Sequence, residues 1–123
     1  MQEEQVERRK YKRFRIPVGV FLSFGPDDSR LGEIIDISTG GLAYRYLATE
    51  EQPNRGPTLN IFLTEHDCCV DELRFETVSD FRTCDIRFTP VTMRRSGVQF
   101  GELTHSQKSR LEHFIDNYAL GDT

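Results

Sequence analysis

Residues 8–15 read Arg8-Arg9-Lys10-Tyr11-Lys12-Arg13-Phe14-Arg15, with six of the chain's sixteen basic residues and no acid among them. Arg9 and Arg13 are four apart, and Arg8 immediately precedes them. In a helical turn two such side chains stand ~6 Å apart on one face. In an extended strand they are roughly 13 Å apart. The compact case makes a two-pronged guanidinium clamp. Guanidinium groups bind phosphate bidentately, pair with the O6/N7 edge of guanine and stack on flat rings. The plainer alternatives are a solvated basic tail and a general nucleic-acid patch.

The second stretch is Asp36-Ile37-Ser38-Thr39-Gly40-Gly41. On a strand Asp36 and Ser38 share one face, and Ile35 and Ile37 share the other, apolar one. The pattern points a carboxylate and a hydroxyl together at solvent from a strand end. A carboxylate can accept from the N1–H and N2–H₂ edge of guanine, and a hydroxyl can serve base or phosphate. Gly40 and Gly41 permit positive φ and close approach of a ligand to the backbone. The alternative is an ordinary strand-ending turn, for which Asp, Ser and Gly are common residues.

The elements that must position these groups are mostly strands. Ile16, Val18, Val20, Leu22 and Phe24 alternate as one half-buried strand over 16–24, with Pro17 suggesting a sheet edge. A turn at 25–29 leads to a return through Leu31, Ile35 and Ile37. A third strand carries Leu42, Tyr44 and Tyr46 on one face. Residues 48–57 read as a surface loop, and Leu59, Ile61 and Leu63 begin the next alternation. Residues 73–81 and 84–92 read as a long hairpin crossing near Arg82-Thr83, and Val98 and Phe100 mark a short last strand. The period then changes. Thr104 with Gln107 forms a capping box, Leu111, Phe114, Ile115 and Tyr118 recur at helical spacing, and Gly121 is a plausible stop.

The expectation is all-β with one helix: a small antiparallel barrel of six to seven strands with a C-terminal helix over an open end. The expected organisation is a flexible tail at 1–7, one domain at 8–119 and a short tail at 120–123. Within the domain lie a basic arm at 8–15, a barrel at 16–101 and a helix at 104–119.

Composition limits the function classes. The 123 residues suit one domain. No apolar run approaches the ~18 residues of a membrane helix, and no apolar leader is evident, so a cytoplasmic location is expected. Cys68, Cys69 and Cys84 make an odd count, which argues against a secreted disulfide scaffold. No Gly-x-Ser-x-Gly, phosphate-binding loop or His-Glu-x-x-His occurs, and Asp36 and Ser38 have no histidine beside them in sequence, so an enzyme is the weakest reading. His66, Cys68 and Cys69 lack a second ligand pair at zinc-finger spacing, so no metal site is expected. The net charge is −4, yet outside 8–15 ten basic residues face twenty acidic ones. That acidic remainder opposes a long polyanion, and few rings beyond Tyr11, Phe14, Tyr44 and Tyr46 could stack on bases. A small-barrel single-stranded nucleic-acid binder is therefore the alternative, not the leading reading.

Together, the Arg9-x-x-x-Arg13 arm and the Asp36-x-Ser38-x-x-Gly41 motif resemble the signature of the PilZ domain family. Gly97-Val98-Gln99-Phe100-Gly101-Glu102-Leu103-Thr104 is similar to that family's last strand running into its helix. The resemblance spans roughly residues 7–118, with all five signature positions filled. It implies a non-enzymatic receptor for the bacterial second messenger cyclic di-GMP, with no catalytic cofactor. It also implies that the arm closes over the ligand against the Asp36–Ser38 face and signals to a protein partner. Arg8 resembles the residue of members that take a stacked pair of ligands, which implies two per chain. Motility, surface polysaccharide synthesis and virulence are processes the family serves, and the resemblance selects none of them. The helix and the acidic 48–57 loop are candidate partner contacts, with packing and solvation as the plainer reading.

Overall fold

The computed structural model describes residues 12–24, 31–48, 58–63 and 68–122. Its elements are β1 (Phe14–Arg15), β2 (Val20–Phe24), β3 (Leu31–Ile37), β4 (Gly41–Ala48), β5 (Thr58–Leu63), β6 (Cys68–Asp85), β7 (Thr92–Phe100), helix α1 (His105–Tyr118) and β8 (Gly121–Asp122). The sheet runs β2-β5-β6-β7-β4-β3, and antiparallel pairing of β2 with β3 closes it into a six-stranded barrel. β1 continues along the edge of β3, and β8 pairs with β1.

The period-two residues fill the barrel. Val20, Leu22, Leu59, Ile61, Val70 and Leu73 are fully buried, with Tyr44 the largest buried ring. The helix lays Leu111, Phe114 and Ile115 against this core. Its start is fixed as the sequence requires. The Thr104 hydroxyl accepts from Gln107 N at 3.0 Å, and Gln107 Oε1 accepts from Thr104 N at 3.0 Å. No helix among the described residues is long and apolar enough to cross a membrane.

Four expectations are corrected. The 16–24 alternation is not one strand. It breaks after Arg15 and resumes at Val20, with Val18 86% exposed and Gly19 at φ 102°. Both pieces lie antiparallel along the same edge of β3, so the chain steps across the gap through a turn that only glycine adopts readily. In β3 the apolar face belongs to Ile34 and Ile37, not to Leu31, Ile35 and Ile37. A register shift between Ile34 and Asp36 inserts Ile35 as a bulge, and Leu31 is exposed. The long hairpin turns at 86–91 instead of at Arg82-Thr83, because β6 runs unbroken to Asp85 opposite Thr92. The last strand is therefore long, Thr92–Phe100. Lastly, Gly121 does not stop the helix, which ends at Tyr118 and is capped by Ala119. The turn expected at 25–29 and nearly all of the 48–57 loop lie outside the described residues.

Candidate functional site

The bulge in β3 organises this corner of the barrel. The carbonyl of Ile35 accepts from Ile16 N at 3.1 Å, which docks the leading chain against β3. One step along, Arg15 stands in register with Asp36 and Phe14 with Ile37. β8 clamps the other side of β1, and Leu120 N donates to Arg15 O at 2.8 Å. Exposed Arg13 thus precedes a strand held on both edges, directly beside Asp36. Arg8 and Arg9 lie outside the described residues.

Asp36 and Ser38 do not point into solvent as the alternation suggested. Both are 5% exposed. Asp36 Oδ2 lies 3.5 Å from Arg95 Nη2, while buried Oδ1 has no hydrogen-bond partner among the described residues. A buried acceptor left unsatisfied costs about 1–3 kcal/mol, so this oxygen is a place where a donor would be gained.

Ser38 has a different task. Its hydroxyl oxygen accepts from Gly40 N and Gly41 N at 3.1 Å each, and its proton is directed to Gly41 O at 3.2 Å. The Ser38 N–H also donates to Gly41 O, at 2.8 Å. The hydroxyl closes the turn between β3 and β4. Gly40 and Gly41 do not use the positive φ that glycine permits. Gly41 is glycine because a Cβ there would collide with the Val98 carbonyl oxygen of β7.

The register across the barrel wall builds a surface around Asp36. Ala43 of β4 is opposite Asp36, Gly97 of β7 is opposite Ala43, and Ser79 of β6 is opposite Gly97. With strands ~4.8 Å apart this is a strip of small side chains roughly 14 Å long. Arg45, Arg95 and Phe81 form the next row on the same outer face. Arg45 is paired to Glu33 at 2.7 Å. Arg15 and Arg95 are the site candidates that sequence reasoning missed. Arg15 was read only as part of the basic run. For Arg95, the period of two back from Val98 puts Ser96 inward and Arg95 outward, but only the pairing of β7 with β4 brings it to Asp36.

Other chemistry is sparse. Burial raises the pKa of the half-buried Cys69 thiol, and Cys84 is exposed. Among the described residues no group of three or more His, Cys, Asp or Glu side chains could hold a metal ion, and His66 lies outside them.

A six-stranded antiparallel barrel covered by one helix, with a carboxylate buried beside its incoming strand, defines a small-barrel binding domain. The family model for the PilZ domain matches residues 7–117, and the chain belongs to that family. Solved structures agree on the fold. The PilZ domain of YcgR from Escherichia coli, solved with c-di-GMP, superposes with a TM-score of 0.67 at 14% identity, over 90% of this chain and 91% of that one. YcgR from Escherichia coli in complex with c-di-GMP gives 0.61 at 18% identity, over 89% of this chain and 45% of that one. MrkH, described as a c-di-GMP-dependent transcription regulatory factor, gives 0.59 at 16% identity, over 89% of this chain and 50% of that one. The chain thus spans about half the length of these two longer proteins. No curated protein matches it.

Proposed function

We propose that this chain is a non-enzymatic receptor for cyclic di-GMP, working in the bacterial cytoplasm and passing the signal to a protein partner. The observation that carries this reading is Asp36: a buried carboxylate with one oxygen lacking a donor among the described residues, beside the strand into which the basic arm runs. A guanine edge offers N1–H and N2–H₂ to such an acceptor. Arg95, the more exposed member of the ion pair, is the group that gives way and turns to a phosphate. Arg9 and Arg13 hold phosphate and guanine edges from the arm. Ser38 and Gly41 act from behind by fixing the turn on which Asp36 rests. Arg8 stacks on or pairs with a second ligand, so two messengers bind per chain.

The energetics favour an arm that orders on binding. Fixing each arm residue costs ~1–2 kcal/mol, and each charge-assisted arginine contact returns roughly 1.5–3 kcal/mol. The terms nearly balance, so ligand alone decides the arm's state.

Calorimetric titration of cyclic di-GMP into the wild type and an Arg9→Ala/Arg13→Ala variant tests this. Loss of two such contacts weakens binding by roughly a hundredfold or more. Wild-type affinity in the double variant overturns the assigned roles, and no heat from the wild type overturns the receptor reading. The same titration reads stoichiometry. Two ligands per chain, falling to one in Arg8→Leu, is the expected result, and one per chain in the wild type refutes the stacked pair.

A further inference from the structure

β6 pairs with β5 as far as Arg74, and from Phe75 to Asp85 it pairs with β7 on one side only among the described residues. Among the described residues the other side is an edge roughly 35 Å long. Natural edges are blunted by proline, lysine and other charges, or by bulges. Phe75–Asp85 contains no proline or lysine. It carries two bulges and the charges of Glu76, Asp80, Arg82 and Asp85, yet it still exposes apolar surface, with Val78 at 60% and Phe81 at 50%.

The pairing with β7 fixes which way each residue faces. Val78 and Thr83 are the extra residues at two register shifts. Thr77, Asp80 and Arg82 lie opposite Val98, Ser96 and Arg94, on the barrel's inner face. Glu76, Ser79, Phe81 and Cys84 lie opposite Gln99, Gly97, Arg95 and Met93, on the outer face. Two copies of an edge can join antiparallel about a two-fold axis if equivalent faces meet and charges match. Centring the axis on Asp80 or on Arg82 sets like charges opposite one another. Centring it on Phe81 sets Phe81 against Phe81 on the outer face and Ser79 against Cys84 beside it. On the inner face Asp80 of each copy meets Arg82 of the other, extending the cluster in which Arg94 donates to Asp80 Oδ1 at 2.6 Å and Tyr46 to Oδ2 at 2.6 Å.

We propose that the β6 edge is a homodimer interface, with a second copy of this chain paired antiparallel about Phe81. The joint adjoins the outer-face rows that lead to Asp36, with Phe81 opposite Arg95, and it forms without ligand. An edge joint is smaller than a standard ~1,600 Å² interface, so the dimer is concentration-dependent.

Two measurements test it on the full chain without ligand. In sedimentation equilibrium the wild type associates with rising concentration, and Phe81→Lys stays monomeric with an unchanged melting temperature. A wild type that is monomeric throughout, or a Phe81→Lys variant that still dimerises, overturns the proposal. The register is read by cross-linking. In Ser79→Cys the new thiol faces Cys84 of the other copy, and diamide takes two electrons and two protons from the pair to form a disulfide while being reduced to its hydrazine. Disulfide dimers are expected in Ser79→Cys and not in Ser79→Cys/Cys84→Ser. Equal cross-linking in the two, or none in Ser79→Cys, overturns the axis at Phe81.

Discussion

Asp36, Ser38 and Gly41 sit within one short motif but bear different burdens. In the proposed reading Asp36 is the motif's ligand-facing group, because of these three residues it is the one with an unsatisfied polar atom among the described residues. Ser38 has its hydroxyl engaged by two amides and a carbonyl. Gly41 has no room for a side chain against Val98. Substitutions should therefore separate stability from binding. Gly41→Ala forces backbone apart at a cost of roughly 1–3 kcal/mol, so its melting temperature falls by several degrees whether or not ligand is present. Asp36→Asn keeps the shape and leaves Arg95 partly solvated, so its melting temperature moves far less while its affinity for cyclic di-GMP drops at least tenfold. Thermal melts and titrations on the two variants decide. A Gly41→Ala protein as stable as wild type, or an Asp36→Asn protein that binds as tightly, contradicts this division.

Helix α1 is fastened to the barrel by its first turn as well as by its apolar stripe. Gln107 Nε2 donates to Asp71 O at 3.1 Å and to Glu72 O at 2.9 Å, while its Oε1 completes the capping box. Glu72 is held at φ 56°, with its N–H on Asn60 Oδ1 at 2.9 Å. Gln107→Ala therefore removes a cap and two tethers together. Urea denaturation should report a loss of roughly 1–3 kcal/mol, against a few tenths for Ser106→Ala on the same turn. Equal losses would show that the tethers contribute nothing. This capping box was legible in Thr104 and Gln107, and so were the half-buried strands at Val20–Phe24, Gly41–Ala48 and Thr58–Leu63, because one buried face imposes a period of two. The bulge at Ile35 was not, since one inserted residue shifts the face without altering composition. Neither was the hairpin end, because residues 81–90 are exposed on both faces and impose no period. Its turn also lacks glycine: Phe88 takes φ 64°, and Thr89 secures it, with N–H and Oγ1 both donating to Ile86 O. At the site, the motif residues were legible by kind, whereas Arg95 reaches Asp36 only through a register that no local pattern encodes.

The distribution of charge over the entire chain selects the size of anion it can hold. Residues 8–15 carry six cations, and the remainder carries twenty acids against ten bases. β1 anchors the end of that cationic run at the corner between β3 and β8. In the proposed reading a ligand with two phosphates is held at that corner, whereas a long polyanion must extend over the acidic remainder. The two cases differ in their salt dependence. Each phosphate neutralised on a single strand contributes about −0.7 to the slope of log K against log salt, so six or more contacts give about −4 or steeper. Binding of cyclic di-GMP to this chain should give a slope of roughly −1 to −2. Oligothymidylate should neither bind comparably nor displace the dinucleotide. A slope near −4 with an oligonucleotide, at an affinity matching that of the cyclic dinucleotide, would mean that the arm tracks a phosphate backbone and that Asp36 takes no part in recognition.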